Sequence, residues 1–161
     1  MELTRAISYH LEPGYIYVSR RPATVRTVVG SCVAVCLWDK ALQYGGMNHF
    51  LYPAIREPAH ATPQYGNVAT AALVQIMEEL GCRRDDLVAQ IFGGGSPDGA
   101  RRPTAGDENV RVAHEVLARK GVPVVSEDTG GTMGRKILFD TGTGQSVVIK
   151  VHTLRSSDWY G

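Results

Sequence analysis

A cysteine and a histidine, 17 residues apart, are the residues of this sequence best suited to covalent chemistry. Cys32 follows Gly30 and Ser31 at the start of an apolar run, and His49 ends a second run. A thiol acts as a nucleophile in its thiolate form, so it needs a base or a cation beside it. If the two runs pair as a hairpin that turns between residues 40 and 45, the imidazole comes close to the thiol. Backbone N–H groups near the glycine could then hold an oxyanion.

The cysteines also allow other interpretations. Unpaired cysteine is among the most buried residue types, so Cys32 is compatible with a purely structural place in the core. A zinc site made of Cys32, Cys36 and His49 is disfavoured, because Cys36 lies about 13 Å further along the strand and a fourth ligand is missing. We therefore predict no metal site. We expect Cys36 to be a core residue, while Cys82 follows the end of a helix and has no predicted partner in its neighbourhood.

The elements that must position these residues are short strands and two helices. Apolar runs between turn signals predict strands at residues 15–18, 25–29, 32–38, 47–51, 87–92, 122–125, 135–140 and 145–151. Helices are predicted at residues 67–80 and 107–120. In the first helix, Val68, Ala72, Ile76 and Leu80 recur every four residues and predict its apolar stripe. This order predicts one α/β (α+β) domain with a mixed β-sheet and two main helices.

The composition limits the class of protein. The 161 residues suit one domain, and 43% hydrophobic with 20% charged residues is typical of a globular chain. A net charge of +1 argues against nucleic-acid binding through a large basic field. The sequence contains no apolar stretch long enough for a membrane span, and residues 1–11 lack the apolar core of a signal peptide. With an odd number of cysteines, three, we expect a cytoplasmic protein with reduced thiols.

Several motifs along the chain together resemble the CheD family of chemoreceptor glutamine deamidases. The two most specific are TVVGSCVAVCL at residues 27–37 and GGMNHFLYP at residues 45–53. Further matching segments are residues 65–66, residues 91–94, Gly106 with Asn109, residues 128–131 and residues 134–137. The resemblance extends from about residue 14 to residue 151, and it implies a single CheD-like domain over residues 1–161 with its core in that range.

The resemblance implies the hydrolysis of selected glutamine side chains on chemoreceptor helices to glutamate, with release of ammonia. It implies a compact layered α/β sandwich similar to bacterial toxin deamidases that use a Cys–His pair. In this sequence Cys32 would attack the glutamine, while His49 would protonate the ammonia and then activate water. Neither a metal nor an organic cofactor is needed. Chemoreceptors are the implied substrates, and the CheC-type chemotaxis phosphatase is an implied partner.

One position departs from the family pattern. The third catalytic residue of the family is a threonine six positions before the cysteine, where this sequence has Arg26. Its neighbour Thr27 points to the opposite face in a regular strand, so we expect it to take the role only if the strand is bulged. Otherwise another group orients His49. Asn48 is either structural or a contact to the substrate amide, and we favour the structural role.

Two other functions compete with the deamidase hypothesis. A non-catalytic adaptor that binds CheC or receptors is favoured only by the Arg26 departure. A receptor methylesterase would use the same Cys–His site, since some members of the family are linked to methyl-ester hydrolysis. The sequence does not separate it from a deamidase, because both reactions pass through an acyl-enzyme.

Overall fold

Two β-sheets and a layer of helices make up the structure, a computed structural model that describes residues 7–160. The strands are β1 Ile7–His10, β2 Ile16–Ser19, β3 Ala23–Val29, β4 Val33–Asp39, β5 Gly45–Asn48, β6 Leu87–Gly93, β7 Val124–Thr129, β8 Gly134–Asp140 and β9 Ser146–Val151. The helices are α1 Gly66–Glu79, α2 Ala105–Lys120 and the short α3 Ser156–Tyr160. The outer sheet has the strand order β1-β3-β8-β9, and the central sheet has the order β2-β5-β4-β6-β7.

The predicted hairpin is present as β4 and β5 in the middle of the central sheet. The two strands pair antiparallel, with Cys36 opposite Met47. Asp39 closes the turn, because its Oδ1 accepts hydrogen bonds from the N–H groups of Ala41 and Leu42 at 2.8 and 2.9 Å. The turn thus lies where the sequence predicts it, and it sets the register of the two runs.

Both faces of the central sheet are buried, and each face belongs to a different core. Along β4, Val33, Val35 and Leu37 pack toward α1 and α2, while Ala34 and Cys36 pack toward the outer sheet. The chain is therefore layered as outer sheet, central sheet and helices. This explains why β4 is a continuous apolar run rather than an alternating one.

Helix α1 is present where predicted, but its buried face differs from the prediction. Val68, Ala72, Ile76 and Leu80 are only half-buried. The buried positions of the helix are Gly66, Ala69, Thr70, Leu73, Val74 and Met77. The predicted and the observed stripes both have helical spacing. Which of them is buried depends on contacts with the central sheet, and local spacing does not encode those contacts.

Helix α2 has strong signals at both ends. Thr104 and Asp107 form a capping box, in which each side chain accepts a hydrogen bond from the other residue's backbone N–H. Gly121 ends the helix in a left-handed conformation with φ of 71°. These caps fix the position of a helix that reaches the candidate active site.

The prediction of a single mixed α/β fold is confirmed, with one refinement: the strands form two sheets. Each sheet is mixed, because β1 pairs parallel to β3 and β6 pairs parallel to β7 while the other pairs are antiparallel. The predicted domain spans residues 1–161, of which residues 1–6 and 161 lie outside the described residues.

Candidate active site

Cys32 lies in a turn between the two sheets, just after β3 and just before β4. The carbonyl groups of this turn are held from the other side. Gly95 donates its N–H to the Gly30 carbonyl at 2.8 Å, and Gly94 donates its N–H to the Cys32 carbonyl at 2.9 Å. Asn109 of α2 donates from Nδ2 to the Ser31 carbonyl at 2.9 Å. With its carbonyls anchored, the segment that carries the thiol has a defined conformation.

Cys32 and His49 lie on the same face of the central sheet, the face toward the outer sheet. Val33 and Phe50 form a bridge with hydrogen bonds of 3.0 and 3.1 Å, so Cys32 is opposite Leu51 and His49 is opposite Ala34. The two side chains are therefore diagonal neighbours across the pair of strands. Such neighbours are about 7–8 Å apart at the backbone, within the reach of an imidazole.

Thr27 approaches His49 from the outer sheet. Its Oγ1 lies 2.7 Å from His49 Nδ1 and 2.8 Å from the Leu11 carbonyl oxygen. A carbonyl only accepts hydrogen bonds, so the single hydroxyl proton of Thr27 goes to Leu11 and Oγ1 accepts from Nδ1–H. Nε2 of the neutral ring then carries the lone pair. Within residues 7–160 this Nε2 is buried and has no hydrogen-bond partner.

Burial holds both reactive groups in their neutral forms. Burial raises the pKa of the Cys32 thiol to about 11, while hydrogen bonding by its own backbone N–H acts in the opposite direction. Burial, and to a smaller extent the charge of the neighbouring His10, lowers the pKa of His49 to about 3. In the conformation described, the site therefore contains a thiol and a neutral imidazole rather than an ion pair.

The contact made by Thr27 corrects the expectation that it needs a bulged strand. β3 pairs with β8 in unbroken register from Thr24 to Val29, and Thr27 is buried while Arg26 is exposed. The family spacing of six residues is counted back from Cys32, and that count passes through the turn after Val29 before it reaches Arg26 and Thr27. The alternation of faces applies within a strand and is not transmitted through a turn, so Thr27 faces the core without distortion.

The other two predicted site residues occupy different places. Ser31 is exposed at the surface next to Cys32. Among the described residues, the backbone N–H groups of Ser31 and Cys32 donate to no carbonyl. Asn48 is fully buried on the opposite face, where its Oδ1 accepts from the Val35 N–H at 2.8 Å and its Nδ2 donates to Thr70 at 3.4 Å. The structure does not bring Asn48 to the thiol, because adjacent residues of a strand point to opposite faces.

Asn109 and Trp159 contact the site, although the sequence analysis gave them no role. Asn109 also donates to the Leu51 carbonyl at 3.0 Å, and so joins the two segments that carry Cys32 and His49. The sequence does contain a signal for Asn109, because a polar residue on the buried face of a helix predicts a specific hydrogen-bonding role. Trp159 packs against the core between the sheets, and its ring centroid lies 6.3 Å from that of His49. No signal in the local sequence predicts that contact.

The remaining polar groups do not form a second centre of this kind. In the described part of the chain, no group of three or more histidine, cysteine, aspartate and glutamate side chains could hold a metal ion. Cys36 and Cys82 are buried, and Cys82 lies beside Asp39 rather than alone as the sequence suggests. Between residues 7 and 160, no helix is long and apolar enough to cross a membrane.

Comparison with known proteins gives one consistent family. Residues 53–150 match the family model described as CheD chemotactic sensory transduction. A probable chemoreceptor glutamine deamidase CheD of Sulfurimonas denitrificans is 40% identical over 139 residues, which cover 84% of this chain and 89% of that protein. A probable chemoreceptor glutamine deamidase CheD 1 of Anaeromyxobacter dehalogenans is 43% identical, over 86% of this chain and 82% of that protein. A probable chemoreceptor glutamine deamidase CheD of Rhodospirillum rubrum is 42% identical, over 94% of this chain and 86% of that protein.

Proposed function

This chain belongs to the CheD family, and we propose that it hydrolyses glutamine side chains of chemoreceptors to glutamate through Cys32 and His49. The observation that carries the catalytic assignment is the hydrogen bond between Thr27 and His49. That bond orients the ring and leaves Nε2 as the free base on the face that also carries Cys32. Most buried polar groups in proteins have a hydrogen-bond partner, so a buried Nε2 without one in residues 7–160 supports a role in the reaction.

The first half of the reaction forms a thioester. Nε2 of His49 takes the proton of the Cys32 thiol, and the thiolate attacks the Cδ of the glutamine side chain. The C–N bond of the resulting tetrahedral intermediate then breaks, and His49 returns the proton to the nitrogen, which leaves as ammonia. The N–H groups of Ser31 and Cys32, which donate to no carbonyl in residues 7–160, stabilise the oxyanion.

The second half of the reaction regenerates the enzyme. His49 takes a proton from water, and the oxygen attacks the thioester carbon. The C–S bond breaks and His49 returns its proton to the sulfur, which restores the Cys32 thiol. The new side-chain carboxylic acid gives its proton to solvent and is released as glutamate. Thr27 accepts the Nδ1–H bond throughout, so it stabilises the protonated ring in both halves. No step requires a metal ion or an organic cofactor.

Asn48 has a supporting role in this proposal and does not touch the substrate. Its hydrogen bond to the Val35 N–H holds β5 against β4 at the position next to His49. Arg26, the feature that favours a non-catalytic adaptor, no longer distinguishes the two hypotheses, because Thr27 supplies the hydroxyl beside the imidazole.

The compartment and one partner complete the proposal. The three cysteines are all unpaired and buried, which fits the reducing cytoplasm. A CheC-type phosphatase binds the protein and competes with the receptor, as the family resemblance implies. Titration calorimetry with a purified CheC protein, followed by a deamidation assay in its presence, tests this. Tight binding without inhibition would contradict the competition.

The test of the catalytic assignment is mass spectrometry of a chemoreceptor fragment incubated with the protein in water enriched in heavy oxygen. We expect glutamate that carries the label at former glutamine positions, together with free ammonia. Cys32→Ala should abolish both signals. Cys36→Ala is the matched control, because it removes another buried thiol from the same core between the two sheets and should retain activity. Release of methanol from methylated receptor without ammonia would favour the methylesterase instead.

A further inference from the structure

The candidate active site is closed. Cys32 exposes only 7% of its surface to solvent, and His49 exposes none. A glutamine side chain on another protein must bring its Cδ into contact with the sulfur, which requires open space beside the thiol. Some part of the protein that surrounds the site therefore moves before the reaction.

One segment packed beside the site is residues 152–160, which we call the C-terminal strap. After β9 it crosses the ends of β8 and β3. The Leu154 side chain packs against two glycines. Its Cδ1 atom lies 2.7 Å from the position that a Cβ would occupy on Gly134, and 3.7 Å from that position on Gly30. The ring of Trp159 lies 3.5 Å from the corresponding position on Gly30. The strap therefore lies across the turn that leads to Cys32 and beside His49.

A few polar contacts hold the strap in place. His10 Nε2 lies 2.8 Å from the Trp159 carbonyl oxygen, and Lys136 Nζ lies 3.3 Å from Asp158 Oδ1. Asp158 also accepts from the Arg155 N–H at 2.8 Å, a contact within the strap. The five residues of α3 include no buried one. The neighbouring β3 and β4 are held by continuous ladders, so the strap is the wall of the site that opens most easily.

We propose that the C-terminal strap is an internal competitor of the substrate, and that a helical segment of the substrate protein binds the surface that the strap vacates. This inference rests on the proposed function, and it adds the way in which access to the site is controlled. While the strap is closed, the thiol is protected from other reactants. Once it is displaced, water and substrate reach Cys32 and His49.

The strap also indicates what kind of segment fits the vacated surface. The surface binds the short helix α3, with the Trp159 indole against Gly30 and the Asp158 carboxylate paired with Lys136. The glycine at position 30 leaves space for a large apolar side chain. We therefore expect a substrate segment that combines a helical turn, a large apolar side chain and an acidic residue near the target glutamine.

The experiment compares Trp159→Ala with Tyr160→Ala in the full-length chain. Both variants remove an aromatic side chain from α3, but Tyr160 is 64% exposed and does not cover the site. Each protein is treated with iodoacetamide, and the alkylation rate of each cysteine is followed by peptide mass spectrometry. Cys36 and Cys82 serve as internal references, because both are unpaired and buried within the described residues. Circular dichroism verifies that each variant is folded.

We expect Trp159→Ala to raise the alkylation rate of Cys32 about tenfold or more, since the strap loses its largest apolar contact. Tyr160→Ala should leave that rate unchanged, and neither variant should change Cys36 or Cys82. Trp159→Ala should also lower the KM for a receptor fragment, because the substrate no longer competes with the indole. An unchanged alkylation rate of Cys32 in folded Trp159→Ala would overturn the inference.

Lys136→Ala is a second test that leaves the strap sequence intact. It removes the ion pair with Asp158, so we expect a smaller increase in Cys32 alkylation, up to about fivefold. The two proposals fail separately. If Cys32 is alkylated faster but no variant deamidates the receptor, the proposal about the strap stands and the deamidase function is rejected. If the protein deamidates the receptor but the alkylation rate is unchanged, the deamidase function stands and the proposal about the strap is rejected.

Discussion

At the scale of single residues, one hydroxyl determines what the imidazole can do. Thr27 donates to the Leu11 carbonyl and accepts from His49 Nδ1, and these two bonds together leave one tautomer of the neutral ring. Nδ1 is thereby excluded as the base. In the proposed reaction the hydroxyl acts through the histidine and does not touch the substrate, so Thr27 is proposed as a positioning residue.

Thr27→Val tests this role with a side chain of similar size. We expect kcat to fall about 10- to 100-fold with little change in KM, because the ring loses its orientation while the substrate surface is unchanged. The pH profile of kcat should also shift, since the imidazolium loses its acceptor. Thr24→Val on the same strand is the control and should keep normal kinetics. Normal kcat for Thr27→Val would contradict the positioning role.

The buried histidine also makes the stability of the protein depend on pH. Burial lowers the pKa of His49 to about 3 from 6.5, so below pH 6.5 the unfolded chain takes up a proton that the folded protein does not. The stabilising effect is complete above pH 6.5 and is lost as the pH falls toward 3. Between pH 7 and pH 5 we expect this group to lower the free energy of unfolding by about 2 kcal/mol.

Urea denaturation of the wild type and His49→Gln at the two pH values measures this effect. The variant should lose that part of the pH dependence. His60→Gln is the control, since His60 is exposed and should leave the dependence unchanged. An identical pH dependence in the wild type and His49→Gln would show that the imidazole is not held neutral.

At the scale of elements, α2 joins the two strands of the hairpin at the site. The helix packs close to the loop after β6 because Gly106 meets Gly94, where a Cβ on either residue would collide with backbone or a neighbouring side chain. This approach lets Asn109 reach the carbonyls of Ser31 and Leu51. The helix therefore contributes no reactive group, and it holds in place the segments that carry Cys32 and His49.

Asn109→Ala tests the contribution of this clamp. We expect a loss of about 2 kcal/mol in the free energy of unfolding, because two carbonyls lose their donor, together with a lower kcat. Asn67→Ala is a matched control, since Asn67 also bonds to the backbone from a helix, through the N–H and carbonyl of Ile55. It should destabilise the protein without lowering kcat. Equal effects of both variants on kcat at a temperature where both are folded would reject the clamp.

At the scale of the whole molecule, the central sheet separates the core that contains the proposed nucleophile from the core packed against the helices. The core between the two sheets contains Cys32 and is lined by Val25, Phe92 and Phe139. The core between the central sheet and the helices contains Leu73 and other apolar side chains on the far side. Apart from Asn109, which reaches the turn of Cys32, we expect residues on the helix side of the sheet to affect stability rather than catalysis.

Leu73→Ala tests this separation. We expect the free energy of unfolding to fall by about 2–5 kcal/mol, because a fully buried leucine leaves a cavity. At temperatures where the variant is folded, kcat should remain that of the wild type. Denaturation curves and deamidation kinetics on the same preparation provide both values. A large drop in kcat for the folded variant would show that the two cores are coupled.

Local sequence patterns predict the strands and helices of this fold better than they predict which of these elements pack or pair with each other. The β4–β5 hairpin follows from two apolar runs and a turn, so the proximity of Cys32 and His49 can be anticipated from the sequence. The division into two sheets cannot, because it depends on the pairing of β3 with β8, where Thr27 is opposite Ile137. The inward direction of Thr27, the buried face of α1 and the position of Trp159 depend on the same distant contacts.

The pairing of β3 with β8 also has a consequence for the order of folding. Cys32 and His49 meet through a hairpin, a contact between near neighbours in the chain that forms with a short loop closure. Thr27 reaches its place only when β3 pairs with a strand more than 100 residues away, which is slower. We therefore expect the β4–β5 hairpin to form before the pairing that brings Thr27 to His49. Activity would return only with the last, non-local step, when the imidazole receives its orienting hydroxyl.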